Sequence, residues 1–237
     1  MKTNSTYGLE MTFSAFVAIS EVKDGNMYIP TDQTNHEIIT TRIKWLKNQG
    51  ISLENTTRLH ISYDTNDFCR YRVVDASHKG DGMRDAGGEF ADALVTTTIG
   101  QALFLPVADC VATTILDEEN GVLMLSHLGR HSLEQQGGVK SVEFLVKKFG
   151  SKPQNLKVWL GPAPNKDVYP IFKLHNQGMK EAVFEQLQKA GIELENIIDN
   201  DADTATDKRY FSYSEFLKGN KQSEGRFAMV AVLKEAH

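Results

Sequence analysis

Apolar and polar side chains alternate loosely over residues 11–19, with Phe13, Phe16 and Val17 among them, and this spacing predicts a strand. The period then changes. Ile39, Ile43 and Leu46 recur at helical spacing, Thr34 or Asn35 caps the start, and Gly50 suits the left-handed position beyond the last turn. Strands are predicted at 58–63 and 69–74. Four β-like segments follow in close order, at 93–97, 102–107, 110–116 and 121–126. A helix is predicted over 133–149, with Val139, Val142, Val146 and Phe149 as its apolar stripe and Gly150 as its stop. A strand at 156–160, a proline-containing turn at 161–165 and a helix at 179–189 come next. Met179, Val183, Leu187 and Ala190 share a face of that helix, and a strand at 227–233 closes the chain. Helices and strands interleave, yet several strands join by short turns, which argues against a purely parallel doubly wound sheet. The pattern predicts an α+β fold: one domain over 1–237, with mixed or antiparallel β-sheets and helices packed on the outside.

Residues 77–90 break the periodicity. The run S-H-K-G-D-G-M-R-D-A-G-G-E (77–89) holds four glycines and five charged residues, and predicts a flexible Gly-rich surface loop. Its glycines lack the strand-before, helix-after setting of a phosphate-binding loop.

Charge and composition exclude some partners. The net charge is −5, and no basic stripe is present to bind a phosphate backbone. Nucleic acid polymers and anionic membranes are excluded, while a small nucleoside or nucleotide is compatible. No apolar run approaches the roughly 20 residues that span a bilayer. The N-terminal stretch, with Lys2 and then Glu10, does not read as a signal peptide, so a cytoplasmic location is expected. The pattern leaves the oligomeric state open. Cys69 and Cys110 are too few for a disulfide framework and are expected to be thiols.

Cys110 belongs to the segment that most resembles a hairpin. If Glu118 and Glu119 are its two loop residues, Asp117 opposes Asn120 and Cys110 lies directly opposite His127. Opposed residues share a face, with Cβ atoms roughly 5 Å apart. A longer loop or a bulge would shift the pairing. A thiol and an imidazole that close suit a zinc ion, which takes nitrogen and sulfur donors, or a nucleophile deprotonated by the imidazole. The alternative is a packed cysteine and a strand-end histidine.

Six short words occur in one order: A-D-A-L-V-T (91–96), A-D-C (108–110), H-L-G (127–129), G-P-A (161–163), R-Y-F-S-Y (209–213) and G-R-F-A (225–228). Together they cover roughly residues 60–235 and resemble the laccase-domain family, also called multicopper polyphenol oxidases and associated with purine nucleoside phosphorylase activity. The resemblance implies a mononuclear zinc site with one cysteine and two histidine ligands. It also implies phosphorolysis of purine nucleosides to base and ribose 1-phosphate, accompanied by adenosine deamination and methylthioadenosine cleavage. Copper is the weaker reading, because three ligands around one hairpin do not make the multinuclear cluster that laccase chemistry needs.

The chain departs from the family pattern at several places. Asp67 stands where the first metal-ligating histidine is expected, so the implied ligand set is Cys110, His127 and Asp67, with His78 in the Gly-rich loop as a substitute. His60 lies in an alternating segment and reads as structural. The family's H-A-G-W-R-G word is H-L-G-R-H-S here. His131 therefore takes the position of an arginine suited to phosphate, and Arg130 sits one residue earlier. The later G-P-x-I-G-P-C-C-Y word survives as G-P-A-P-N-K-D-V-Y, ending at Tyr169, and the C-terminal Cys-Thr word is Asp203-Thr204.

Cys110, His127, Asp109, Arg130 and His131 are the expected catalytic set, with Asp109 orienting a neighbour. Phe211, Tyr213 and Tyr169 are aromatic positions able to stack on a base. Three functions compete. The first is a zinc-dependent enzyme acting on adenosine- or inosine-type nucleosides with phosphate. The second is a degenerate family member that binds a ligand or partner without turnover. The third is a cysteine-dependent hydrolase using Cys110 and His127.

Overall fold

Two β-sheets lie face to face, and each carries helices on its outer side. The computed structural model describes residues 13–29, 32, 34–85 and 87–236. Positions 11 and 12 of the first expected strand, and position 86 of the Gly-rich segment, lie outside the described residues. In chain order the elements are β1 (Phe13–Ile19), α1 (His36–Asn48), β2 (Thr56–Arg58), β3 (Tyr71–Val73), β4 (Ala93–Thr96) and β5 (Ala102–Val107). They continue with β6 (Val111–Asp117), β7 (Val122–Leu128), α2 (Arg130–Glu134), α3 (Gly137–Phe149) and β8 (Lys157–Leu160). The last are α4 (Met179–Lys189), β9 (Ile197–Asp199), α5 (Tyr213–Leu217) and β10 (Phe227–Glu235).

The first sheet has the order β1-β10-β5-β2, and the second β3-β4-β7-β6-β8-β9. Both are mixed: β2 pairs parallel with β5, β3 with β4 and β8 with β9, and the other pairs are antiparallel. The fold is α+β, as the interleaved pattern predicts.

Strand parity assigns each layer its residues. On β5, Leu103 and Leu105 face the second sheet, where they meet Leu94, Leu116, Leu123 and Leu125. Ala102 and Phe104 point the other way, onto Trp45 and Leu46 of α1. On β6, Val111 and Ile115 face Leu133, Val142, Leu145 and Val183 of the outer helices. Every residue of β6 and β7 is buried, so their near-continuous apolar runs reflect cover on both faces. Each fully buried leucine contributes about 1.5–3 kcal/mol.

Three expectations change. The strand expected at 58–63 is β2, which ends at Arg58. Leu59 still donates to the Phe104 carbonyl (2.8 Å), but the chain then bends where the Ser62 and Thr65 hydroxyls accept from the Asp64 and Asp67 amides. The helix expected at 133–149 is two helices. Gln136 adopts a left-handed conformation (φ 64°), and Gly137 and Gly138 follow it. From α4, Gln186 closes the break: its amide oxygen accepts from Gly138 N–H (2.9 Å), and its amide nitrogen donates to the Leu133 carbonyl (2.9 Å).

The hairpin register also changes. Asp117 pairs with Val122 and Ala112 with His127, so the loop has four residues rather than two. Asp117 Oδ1 accepts from the Glu119 and Asn120 amides (3.0 Å each), and Gly121 takes the left-handed conformation (φ 62°) that such a loop needs.

Candidate functional site

A slip of two residues keeps side chains on their original faces, because strand parity has a period of two. Cys110 is therefore not opposite His127 but one step beyond β6, on the same face and diagonal to it. Gly129 lies between them. A Cβ added there would sit 2.9 Å from Cys110 Sγ, 3.0 Å from His127 Cε1 and 3.3 Å from His127 Nε2. The glycine of the H-L-G word thus leaves room for the sulfur and the imidazole to share one space.

That space opens into a cavity of about 580 Å³ at one end of the sheets. Cys110, His127, Asp109, Arg130 and His131 all line it. His127 is fixed through its backbone, whose N–H donates to the Asp92 carbonyl (2.8 Å). Burial lowers its pKa to about 4, opposed by the charge of Asp92. Burial also raises the Cys110 thiol to about 12, with Asp109 adding to the effect. Both groups are uncharged at neutral pH, so a nucleophilic thiolate–imidazolium pair runs against both shifts.

Asp109 stands just before Cys110 with φ 78°, a left-handed conformation that costs a non-glycine residue about 1 kcal/mol or more. Its buried carboxylate accepts from Thr204 Oγ1 (2.9 Å) and Ser214 N–H (2.7 Å). These two bonds tie the start of β6 to the C-terminal segment and fix where Cys110 points. The Thr204 of the altered Asp-Thr word is therefore engaged at the site.

His131 and Arg130 open α2 at the cavity wall. Arg130 Nη2 lies 3.3 Å from His131 Nε2, where the guanidinium donates and the ring nitrogen accepts. Burial and the neighbouring Arg130 lower the His131 pKa. Its ring stacks on Phe68 (centroids 4.6 Å apart, planes at 20°), with Tyr63 6.3 Å away.

Other expected residues lie elsewhere. Asp67 is exposed, does not line the cavity, and accepts the Cys69 N–H on Oδ1 (3.0 Å). His78 is engaged with Asp75 (2.9 Å), and His60 packs on Phe90 (centroids 4.4 Å). Neither lines the cavity. Among the described residues, no group of three His, Cys, Asp or Glu side chains is placed to hold a metal ion. Cys110 and His127 thus supply two donors of the kinds zinc takes, one short of the three protein ligands of a catalytic zinc site. Phe211 is buried in the core and fills the space beside Gly225, whereas Tyr213 and Tyr169 do line the cavity.

The linear pattern gave no role to Tyr63, Phe68, Arg58 or Arg226, which also line the cavity. Tyr63 stands at the mouth, 63% exposed, and the neighbouring Cys110 is the largest influence raising its phenol pKa. Arg58 is held by the Gly-rich segment, donating to the carbonyls of Gly82 and Asp85. Arg42 donates to the Met83 carbonyl (2.9 Å), and Met83 itself is fully buried. The segment expected as a loop is a series of turns whose carbonyls brace a cavity wall.

Residues 25–174, more than half of the chain, match the family described as multi-copper polyphenol oxidoreductase laccase. The chain belongs to this family. Among curated relatives of this chain, a purine nucleoside phosphorylase of Corynebacterium glutamicum is 35% identical over 83 residues, covering 35% of this chain and 33% of the relative. A purine nucleoside phosphorylase of Deinococcus radiodurans is 29% identical over 120 residues, covering 50% of this chain and 47% of the relative. The matched stretches thus span a third to a half of those relatives.

Solved structures share the laccase-family fold over nearly the whole chain. YlmD from Geobacillus stearothermophilus superposes with a TM-score of 0.79 at 19% identity, covering 94% of this chain and 92% of that one. The hypothetical protein YfiH of Bacillus licheniformis gives 0.78 at 18% identity, covering 93% of each chain. At these identities the likeness concerns the fold. No helix among the described residues is long and apolar enough to cross a membrane.

Proposed function

We propose that this laccase-family chain is a purine nucleoside phosphorylase, cleaving adenosine- or inosine-type nucleosides in the cavity at Cys110 and His127. The observation that carries the reading is that five residues from two separate words of the sequence, Asp109 and Cys110 of A-D-C and His127, Arg130 and His131 of H-L-G-R-H-S, line one cavity. The names of the two curated relatives point the same way.

The reaction is built from the chain's own groups. A phosphate oxygen attacks C1′ of the ribose, the C1′–N bond breaks, and the purine leaves with the bonding pair and takes up a proton. Arginines at the wall hold the phosphate dianion against C1′, and the proton it gives up on forming ribose 1-phosphate balances the one taken up by the leaving base. The hydroxyls of Tyr63 and Tyr169, both raised in pKa and so protonated at neutral pH, line the same cavity and are available to protonate the leaving base. The stacked Phe68–His131 pair offers a flat apolar surface for the purine ring. In metal-free protein Cys110 and His127 form an uncharged patch of the cavity wall, and they are the two donors the chain would offer to the metal associated with its family.

Incubating the purified protein with adenosine or inosine and phosphate tests the reading. Free base with an equal amount of ribose 1-phosphate supports it, and no free base sinks it. The metal content of the same preparation, compared with that of Cys110→Ala, tests zinc binding separately. A second reading, ligand binding without turnover, is favoured by the incomplete donor set. Nucleoside binding with no product would select it.

A further inference from the structure

We propose that Arg226 and Arg130 form a two-arginine clamp that holds a phosphate group beside Cys110. The phosphorylase reading decides only whether that phosphate is the free ion or an ester.

The two arginines come from distant parts of the chain. Arg130 opens α2, and Arg226 immediately precedes β10, yet both line the one cavity. Arg226 is placed rather than free to wander. Its backbone N–H donates to Asn26 Oδ1 (2.8 Å), and its guanidinium lies 4.8 Å from the centre of the Tyr213 ring. Its side chain is 15% exposed.

Among the described residues, neither arginine is neutralised by a strong ion pair. Arg226 Nη1 donates to the Gly225 carbonyl (2.9 Å), and Nη2 lies 3.4 Å from Glu224, a half-exposed carboxylate beyond the usual charge-assisted distance. Arg130 Nη2 lies against the His131 ring (3.3 Å from Nε2), which is no counter-charge. Among the described residues, Asp109 is the one carboxylate in the cavity lining, and it is already engaged by Thr204 and Ser214. The lining thus carries three arginines, Arg58, Arg130 and Arg226, against one aspartate, in a chain of net charge −5. Such a concentration of positive charge in a concave site favours an anion, and two planar forks match a tetrahedral oxyanion better than one. The clamp also accounts for the displaced arginine of the H-L-G-R-H-S word. One fork set a residue away is supported by a second from β10.

Phosphate binding is read from the saturable rise in Tm with inorganic phosphate, and in parallel with a nucleoside 5′-monophosphate. Wild type, Arg226→Gln, Arg226→Lys and Arg130→Gln are compared, with Arg209→Gln as a control, because Arg209 is paired with Asp207 and does not line the cavity. Removing one guanidinium is expected to weaken phosphate binding by about 10- to 100-fold. Arg226→Lys, which keeps the charge and the stem, is expected to fall in between, and it decides the matter if Arg226→Gln fails to melt cooperatively. Arg209→Gln is expected to bind as wild type. A response to inorganic phosphate assigns the clamp to the free ion, and a response to the monophosphate alone assigns it to an ester. In either case its loss in Arg226→Gln supports the clamp, even if the wild type turns over no nucleoside. Wild-type binding of neither ligand, or unaltered binding in both Arg226 variants, overturns it.

Discussion

Gly129 and His127 show how little space and charge the site tolerates. A methyl group at position 129 would press on both Cys110 and His127. Gly129→Ala is expected to lower phosphorolysis at least about tenfold by shifting both side chains, and to cost about 1–3 kcal/mol of stability from overpacking. Activity assays and urea melts check the two effects. His127 gives a pH signature in metal-free protein. Its folded pKa is about 4 against an ordinary 6.5, so the unfolded chain takes up a proton that the folded chain refuses. The stability it contributes is fully present above pH 6.5. It is lost as pH falls through about 4, by about 3 kcal/mol at the limit. Urea melts between pH 7 and pH 4 should show a smaller acid loss in His127→Asn. The catalytic candidates from the sequence words, Asp109, Cys110, His127, Arg130 and His131, reach the cavity, whereas Phe211 and Asp67 do not. Asp67 holds the expected histidine's place only along the sequence, because the turns at 62–67 leave its side chain exposed. Arg226 was present in the G-R-F-A word, but a lone arginine before a strand says nothing about what it faces until the strand is placed.

The hairpin illustrates what an element's sequence can and cannot specify. Its two apolar runs predict two strands, and the buried face fixes side-chain parity, so Cys110 and His127 share a face under either loop length. The loop length itself rests on Asp117, whose carboxylate caps the turn, and on the left-handed Gly121. The break between α2 and α3 was hidden for a related reason. Glycine is tolerated inside helices at a cost of about 1 kcal/mol, and the interruption is stabilised by Gln186 from a helix some 50 positions away in sequence. Replacing Gln186 by Leu leaves the Gly138 N–H and the Leu133 carbonyl buried without this partner. The expected loss is about 2–4 kcal/mol, read from chemical denaturation, with most of the helical signal retained below the transition.

At the scale of the whole molecule, two sheets and their outer helices bring residues from Tyr28 to Arg226 to one end of the fold. The layers follow from strand and helix periodicity. The cavity does not, because much of its lining, Tyr63, Phe68, Asp109, Cys110, Tyr169 and Arg226 among it, sits on connecting segments whose geometry depends on tertiary partners. Asp109 is the tie among them, bridging Thr204 and Ser214 to the start of β6. The proposed activity requires that the sugar–base bond be cut by phosphate at Cys110 and His127. The most direct test is ³¹P NMR of the protein with inosine and phosphate, comparing wild type with Cys110→Ala and His127→Ala. The account predicts a ribose 1-phosphate signal that grows in step with free hypoxanthine in the wild type and is lost in both variants. Base release that proceeds without phosphate, or an unchanged ribose 1-phosphate signal in the variants, would contradict it.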